Sequence, residues 1–82
     1  MDNVQIQIKQ LLFKYLGTES SLIKNEHSFV DDLKANSLDM MEIIIGLEDH
    51  FSIEINDEEA QKLITVQDAI LLVLSKTNNK IV

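Results

Sequence analysis

The amino-acid sequence predicts an all-α protein, a bundle of four helices, and three observations support this fold class. Proline is absent from the 82 residues and glycine occurs only twice, whereas β-sandwiches are usually interrupted by both. Apolar residues recur at the spacing of amphipathic helices in several segments. A chain of this length forms one small core that does not divide further. We therefore expect residues 1–82 to form a single domain, with three longer helices, a short third helix and a long loop between the first two.

The first helix is predicted over about residues 3–16. Its apolar residues recur at i, i+4, i+7, i+8 and i+11 and share one stripe: Val4, Ile8, Leu11, Leu12 and Tyr15. Gly17 stands where a left-handed C-terminal cap is expected. Residues 18–36 combine serine and asparagine with scattered apolar anchors. This composition predicts a long packed loop with about one helical turn near Phe29.

The second helix is predicted over residues 37–51. Asn36 or Ser37 would serve as its N-cap. Asp39 and Glu42 lie in its first turns, where carboxylates interact favourably with the helix dipole.

The last two helices are predicted from their starting residues. Asn56 or Asp57 begins a short third helix over residues 57–63. Thr65 and Asp68 have the spacing of a capping box, which predicts a fourth helix over residues 65–76.

The chain is strongly acidic, with fourteen acids against seven lysines, no arginine and a net charge of −7. From Glu26 to Glu59 there are eleven acids and one lysine, so the charge is concentrated in the middle of the chain. Such a surface repels a phosphate backbone, which argues against a nucleic-acid partner. No segment has the oxygen-ligand spacing and central glycine of an EF-hand, and no metal site is predicted.

The sequence contains no cysteine, which excludes disulfides, cysteine-bound metals and a thiol nucleophile from the chain itself. Any sulfur chemistry must be supplied by another group. No apolar run is long enough to cross a membrane. We therefore expect a cytoplasmic protein, or an organellar one whose targeting segment is missing.

The second helix has two apolar faces when its residues are placed at 100° intervals with Ser37 at 0°. Five residues face the core at about 240–340°: Met40, Ile43, Ile44, Leu47 and Phe51. Three more lie nearly opposite, at about 40–100°: Leu38, Met41 and Ile45. Carboxylates border this second strip on both sides. One small core cannot bury both faces, so we expect an exposed strip suited to basic protein partners. The alternative is that the long loop or the third helix covers it.

Ser37, at the start of the second helix, has three interpretations. The first is an ordinary N-cap hydroxyl. The second, a catalytic nucleophile, is disfavoured because Asp39 occupies a position where a hydrolase elbow needs a small residue. The two histidines, His27 and His50, also offer no adjacent base. The third is covalent modification, since the free N–H groups and positive dipole of a helix N-terminus would favour an attached phosphodiester.

Several motifs occur in a fixed order: FVDDLKANSLD at residues 29–39, then Glu42, LEDHF at 47–51, INDEEA at 55–60 and TVQDAI at 65–70. Over about residues 4–75 they closely resemble the acyl carrier protein family. The resemblance implies an acidic four-helix bundle in which Ser37 carries a 4′-phosphopantetheine arm donated from coenzyme A. The thiol of that arm holds acyl groups as thioesters, which would supply the sulfur that the chain lacks.

The same resemblance implies a monomeric, non-catalytic carrier for fatty-acid or related acyl synthesis. Its partners would be a phosphopantetheinyl transferase and acyl transferases, ketosynthases and other acyl-chain enzymes with basic docking patches. The implied apolar docking residues are Leu38, Met41 and Ile45, and the implied docking carboxylates are Asp39, Glu42, Glu48, Asp49, Glu54, Asp57 and Glu58. Some members draw the acyl chain between helices two and three. Its candidate lining, which also fits an ordinary core, is Ile43, Ile44, Leu47, Ile55, Ala60, Leu63 and Ile64.

The chain departs from the family pattern at three positions. Asn36 replaces the usual acid before the serine, which removes a charge that helps to position magnesium and the transferase. Asn56 stands where proline is frequent, and Lys34 where glycine is frequent. An adaptor that keeps the fold and uses the acidic face only for binding is therefore the alternative function. An enzyme with its own catalytic residues is a more distant one.

Overall fold

The computed structural model describes residues 4–78, and within them the protein is a bundle of four α-helices without strands. The helices are α1 (Val4–Leu16), α2 (Ser37–Phe51), α3 (Asp57–Gln61) and α4 (Val66–Asn78). A short 3₁₀ helix, Ser20–Leu22, follows α1. The all-α class and the short third helix are therefore confirmed. Residue 3, where the first helix is predicted to begin, lies outside the described residues.

One apolar core joins α1, α2, α4 and the long loop. Its largest fully buried side chains are Ile8 and Leu12 from α1, Ile43 and Leu47 from α2, Val66, Ile70 and Val73 from α4, and Phe29 from the loop. These residues follow the 3.6-residue period of each helix, which explains why the three longer helices pack along their apolar stripes. Within the described chain, no polar or charged residue is fully buried.

The long loop is fixed in place by backbone hydrogen bonds. Gly17 ends α1 with a φ of 77°, and its N–H donates to the Phe13 carbonyl oxygen at 2.8 Å. Further along, the Phe29 N–H donates to the Ile64 oxygen at 3.0 Å, and the Val66 N–H to the His27 oxygen at 3.0 Å. The loop is therefore tied to the junction between α3 and α4.

The turn predicted near Phe29 is a hydrogen-bonded turn and not part of a helix. The N–H groups of Asp32 and Leu33 both donate to the Ser28 carbonyl oxygen at 3.0 Å. The helical residues of the loop instead lie earlier, at Ser20–Leu22.

Three helix boundaries differ from the predicted ones, and one of them is the end of α4, which lies at Asn78 and not at residue 76. α3 ends at Gln61 and not at residue 63, because the N–H groups of Lys62 and Leu63 donate three residues back and tighten the chain. α4 begins at Val66, since Thr65 is its cap. The predicted capping box is present, with the Asp68 N–H donating to Thr65 Oγ1 at 3.2 Å and the Thr65 N–H to Asp68 Oδ2 at 3.0 Å.

α1 and α2 approach each other closely where Tyr15 lies on Gly46. A Cβ atom at Gly46 would lie 2.7 Å from Tyr15 Cε2 and 2.8 Å from Tyr15 Oη. These distances are well inside van der Waals contact. Glycine therefore fits at position 46 because of the tyrosine ring, and not because of its backbone conformation.

We expect the substitution Gly46→Ala to lower the free energy of unfolding by about 1 kcal/mol, because the methyl group displaces the Tyr15 ring. In an ordinary helix interior the same change raises stability by roughly 0.5–1 kcal/mol. Urea denaturation of Gly46→Ala in the wild-type and Tyr15→Ala backgrounds measures the difference. In the second background the substitution should be stabilising. An equal effect in both backgrounds would contradict the contact.

Candidate functional site

The candidate site is the start of α2, where Asn36 is the N-cap. The Asn36 backbone is extended, with φ −94° and ψ −177°. Its Oδ1 accepts the Asp39 N–H at 2.8 Å, and Asp39 Oδ2 accepts the Asn36 N–H at 3.1 Å. This reciprocal pair is a capping box. The N-cap interpretation of Ser37 is therefore wrong: Ser37 is the first helical residue, and its hydroxyl is not needed as a cap.

The Ser37 side chain is accessible. The residue is exposed, and its hydroxyl has no hydrogen-bond partner among residues 4–78. The N–H groups of Ser37 and Leu38 belong to the first turn, where no intrahelical acceptor exists. The hydroxyl therefore lies at the positive end of the α2 dipole, open to solvent and to a second protein.

The chain segment just before Ser37 is held in place by the core and not by Ser37 itself. Ala35 is buried, and its N–H donates to the Phe29 carbonyl oxygen at 2.8 Å. Lys34 just before it is exposed and has a φ of 60°, a conformation that glycine adopts more easily. The loop thus makes its tight bend at the position where the family frequently has glycine.

The second apolar strip of α2 is exposed, as the helical wheel predicts. Leu38 is 65% exposed, Met41 59% and Ile45 52%. The opposite face packs on the core, with Ile43 and Leu47 fully buried. The alternative, that the loop or α3 covers the strip, is wrong. We call Leu38, Met41 and Ile45 the α2 strip.

The predicted docking carboxylates fall into two groups. Five are exposed: Glu42, Asp49, Glu54, Asp57 and Glu58. The other two, Asp39 and Glu48, are half-buried and already accept backbone hydrogen bonds. Asp39 belongs to the α2 capping box, and Glu48 Oε2 accepts the Ile55 N–H at 2.8 Å. Both therefore stabilise the fold as well as contributing negative charge.

Sequence reasoning missed the interactions of Glu59, which caps the start of α3 and pairs with α4. Asn56 Oδ1 accepts the Glu59 N–H at 2.8 Å, and Glu59 Oε1 accepts the Asn56 N–H at 3.1 Å. The Lys76 ammonium of α4 lies 3.0 Å from Glu59 Oε1. The backbone hydrogen bond from Asn56, followed by the hydrogen bond from Lys76, lowers the pKa of the Glu59 carboxyl from its ordinary value. The spacing of Asn56 and Glu59 signals this capping box, but no local pattern points to Lys76.

The candidate acyl-chain residues do not all lie in the interior. Ile43, Leu47, Ile55 and Leu63 are buried, and Ile44 and Ala60 are half-buried. Ile64 is 61% exposed, so its assignment to an interior lining is wrong. The Ile64 backbone explains this placement. Its carbonyl accepts the Phe29 N–H, its N–H donates to Asp68, and its side chain is left facing solvent.

Two surface cavities touch this set only at its edges. One of about 290 Å³ includes Leu63 and continues along α4 through Leu71 and Leu72. The other, of about 460 Å³, includes Ile55 and is rimmed by polar groups: Glu48, Glu54, Asn56, Glu59 and Lys76. The candidate lining is therefore occupied by the protein's own packing.

Both histidines take part in hydrogen bonds of the fold. His27 Nδ1 accepts the Lys24 N–H at 3.1 Å, and His50 Nε2 lies 2.8 Å from Gln7 Oε1. Between residues 4 and 78, no three histidine or carboxylate side chains converge as metal ligands would. None of the helices in that range has the length and apolar character needed to cross a bilayer.

An exposed hydroxyl thus lies at the start of an acidic helix, on a bundle whose core fills its interior. The family profile described as the phosphopantetheine attachment site matches residues 7–73. The chain belongs to this family, whose domains carry covalently attached 4′-phosphopantetheine. The resemblance to acyl carrier proteins is confirmed at this level.

We expect Glu59→Gln to lower the free energy of unfolding at neutral pH. In the variant this free energy should also fall less steeply as the pH is lowered. The pKa of Glu59 is lowered in the folded state, so its stabilisation is present above the ordinary value of 4.5 and is lost as the pH falls through the folded-state value. Unfolding free energies measured from pH 7 to pH 3 check this. Glu58→Gln, at the exposed neighbouring position, is the matched control. An equal change in both pH profiles would contradict the prediction.

Proposed function

We propose that Ser37 is the attachment site of 4′-phosphopantetheine and that the protein carries acyl groups for fatty-acid or related acyl synthesis. The observation that carries this proposal is the exposed Ser37 hydroxyl at the start of α2, inside the segment that the family profile matches. The whole chain, residues 1–82, would act as one monomeric carrier domain in the cytoplasm.

The start of α2 fits a phosphodiester. The N–H groups of Ser37 and Leu38 have no intrahelical acceptor, and the helix dipole is positive at this end, so negative charge is favoured there. Asn36 caps the helix through its own side chain, so esterifying Ser37 would leave the cap intact. When bound, the arm supplies a thiol that holds acyl groups as thioesters, a group that the cysteine-free chain does not contain.

The protein itself would be non-catalytic and would act as the substrate of other enzymes. A phosphopantetheinyl transferase would donate the arm from coenzyme A, and acyl transferases and ketosynthases would load and use the cargo. The α2 strip supports docking of these partners because it is apolar and exposed. Exposed Glu42 and Asp49 flank it on α2, and Glu54, Asp57 and Glu58 extend the acidic rim to the start of α3. Basic patches on the enzymes would complement this charge.

The adaptor alternative rests on Asn36. The neutral amide removes the charge that normally helps to position magnesium and the transferase. In the adaptor case the α2 strip would bind a partner and Ser37 would remain a free hydroxyl.

Co-expression with a phosphopantetheinyl transferase should add one phosphopantetheinyl group to the wild-type chain and none to Ser37→Ala, as measured by intact mass. Ser21→Ala, which removes another exposed hydroxyl, is the control and should be modified normally. An unmodified wild-type chain with every transferase tried, together with normal partner binding by Ser37→Ala, would instead establish the adaptor.

The two kinds of docking residue should act on different rate constants. We expect the double variant Glu42→Lys with Asp49→Lys to lower the association rate with the transferase about tenfold or more, with an effect that fades in salt. Ile45→Ala should mainly raise the dissociation rate, at a cost of about 1 kcal/mol or more.

Stopped-flow binding at two salt concentrations checks this division. The matched control is Glu19→Lys with Glu26→Lys, which makes the same change in net charge at exposed positions outside α2. Equal, salt-independent effects of the α2 variants would refute it.

A further inference from the structure

A second exposed apolar strip lies on α1. Ile6 is 55% exposed and Phe13 48% exposed. Seven residues apart, they fall within about 20° of each other around the helix. Ile8 and Leu12 lie on the roughly opposite side and are fully buried. The outer face of α1 therefore presents two large apolar side chains that the core does not use.

Positive charge borders this strip on both sides. On the same wheel Lys9 lies about 60° to one side of Ile6 and Lys14 about 80° to the other. α1 contains no acid. In the described chain the one ion pair joins Lys76 to Glu59, so neither lysine forms a salt bridge with a carboxylate of residues 4–78. Lys14 lies 5.7 Å from the Tyr15 ring centroid and remains exposed.

The strip continues into a concave surface beside the 3₁₀ helix. Ile6 and Lys9 line a depression of about 220 Å³ together with Ser20 and Ser21. Leu22, the last residue of the 3₁₀ helix, is 64% exposed. We call Ile6, Lys9, Phe13, Lys14 and Leu22 the α1 face. It has apolar anchors, a recess for a side chain and a positive border.

We propose that the α1 face is a second docking surface and that its occupant is an acidic partner protein, one that presents an apolar strip bordered by carboxylates. Charge complementarity selects this partner, because lysines border the α1 face whereas carboxylates border the α2 strip. The two surfaces share no residue. The surface is independent of Ser37 and of the proposed carrier role. A carrier with both surfaces would bind basic enzymes through α2 and an acidic protein through α1.

A lipid surface fits the α1 face less well. Helices that lie in a membrane interface bury their whole apolar face there, whereas the main apolar face of α1 is occupied by the core. Three separate anchors provide little area for insertion.

Two synthetic helices with the same leucine strip test the proposal, one bordered by glutamates and one by lysines. Each is titrated into the full-length ¹⁵N-labelled chain and followed by the amide signals. The glutamate helix should shift the amide signals of α1 and of Ser20–Leu22. Added sodium chloride should weaken the binding of this helix. The lysine helix should shift signals of α2.

Variants sharpen the test. The double variant Lys9→Glu with Lys14→Glu should lower the affinity for the glutamate helix at least about tenfold. Phe13→Ser should also lower this affinity but should leave its salt dependence unchanged. Lys34→Glu with Lys62→Glu is the matched control, with the same change in net charge at exposed positions outside α1, and should bind normally. Each variant is also assayed for phosphopantetheinylation, which the α1 changes should not alter, so failure of this surface is distinguishable from failure of the carrier proposal.

Three results would overturn the proposal. The first is a glutamate helix that shifts no α1 signal, or that binds the Lys9/Lys14 variant and the control equally. The second is a shift of α1 signals by phosphatidylglycerol vesicles and not by the glutamate helix, which would identify a lipid surface. The third is a shift of α1 signals with protein concentration alone, which would identify a second copy of the chain.

Discussion

The position of Ser37 depends on the burial of Phe29. Phe29 lies in the loop between α1 and α2, yet it is among the largest fully buried side chains. Its N–H donates to Ile64 and its carbonyl accepts from Ala35, so one residue connects the α3–α4 junction to the start of α2. Removing a buried aromatic side chain costs about 3–5 kcal/mol. The core therefore holds the serine at the surface.

The acidic middle of the chain contributes both to the fold and to the surface. Asp32, Asp39, Glu48 and Glu59 each accept at least one backbone N–H, as does Asp68 beyond this segment. Several of these N–H groups lie at helix starts, where they would otherwise lack partners. Local hydrogen bonds and helix dipoles thus offset part of the repulsion among like charges. Glu42 and Asp49 are exposed, accept no such bond from residues 4–78, and border the α2 strip.

The features that sequence predicts here are those encoded by residues within about one turn of each other. The Thr65 and Asp68 capping box, the Gly17 cap and the two faces of α2 all follow from spacing. The contacts it missed join distant segments. Tyr15 against Gly46 and Glu59 against Lys76 depend on how helices are placed. Ile64 looks like a core residue by composition, but its backbone bonds turn it outward. Our proposal that Ser37 is the modified residue comes from the family resemblance, whereas local propensity alone favoured an ordinary cap.

α3 differs from the other helices in what holds it. It has five residues, and its links to the bundle include the Glu48–Ile55 hydrogen bond and the Glu59–Lys76 ion pair. A hydrogen bond contributes only about 0.5–1.5 kcal/mol net, and solvent and salt screen the ion pair. The longer helices are instead joined by fully buried side chains. Moving α3 away from the bundle should therefore cost less free energy than moving α1, α2 and α4 apart from one another. Exposing Ile55 or Leu63 would cost roughly 1.5–3 kcal/mol each, a cost that an alkyl chain in the same place would offset. In the carrier that we propose, an opening beside α3 would thus be favoured only while an alkyl chain fills it.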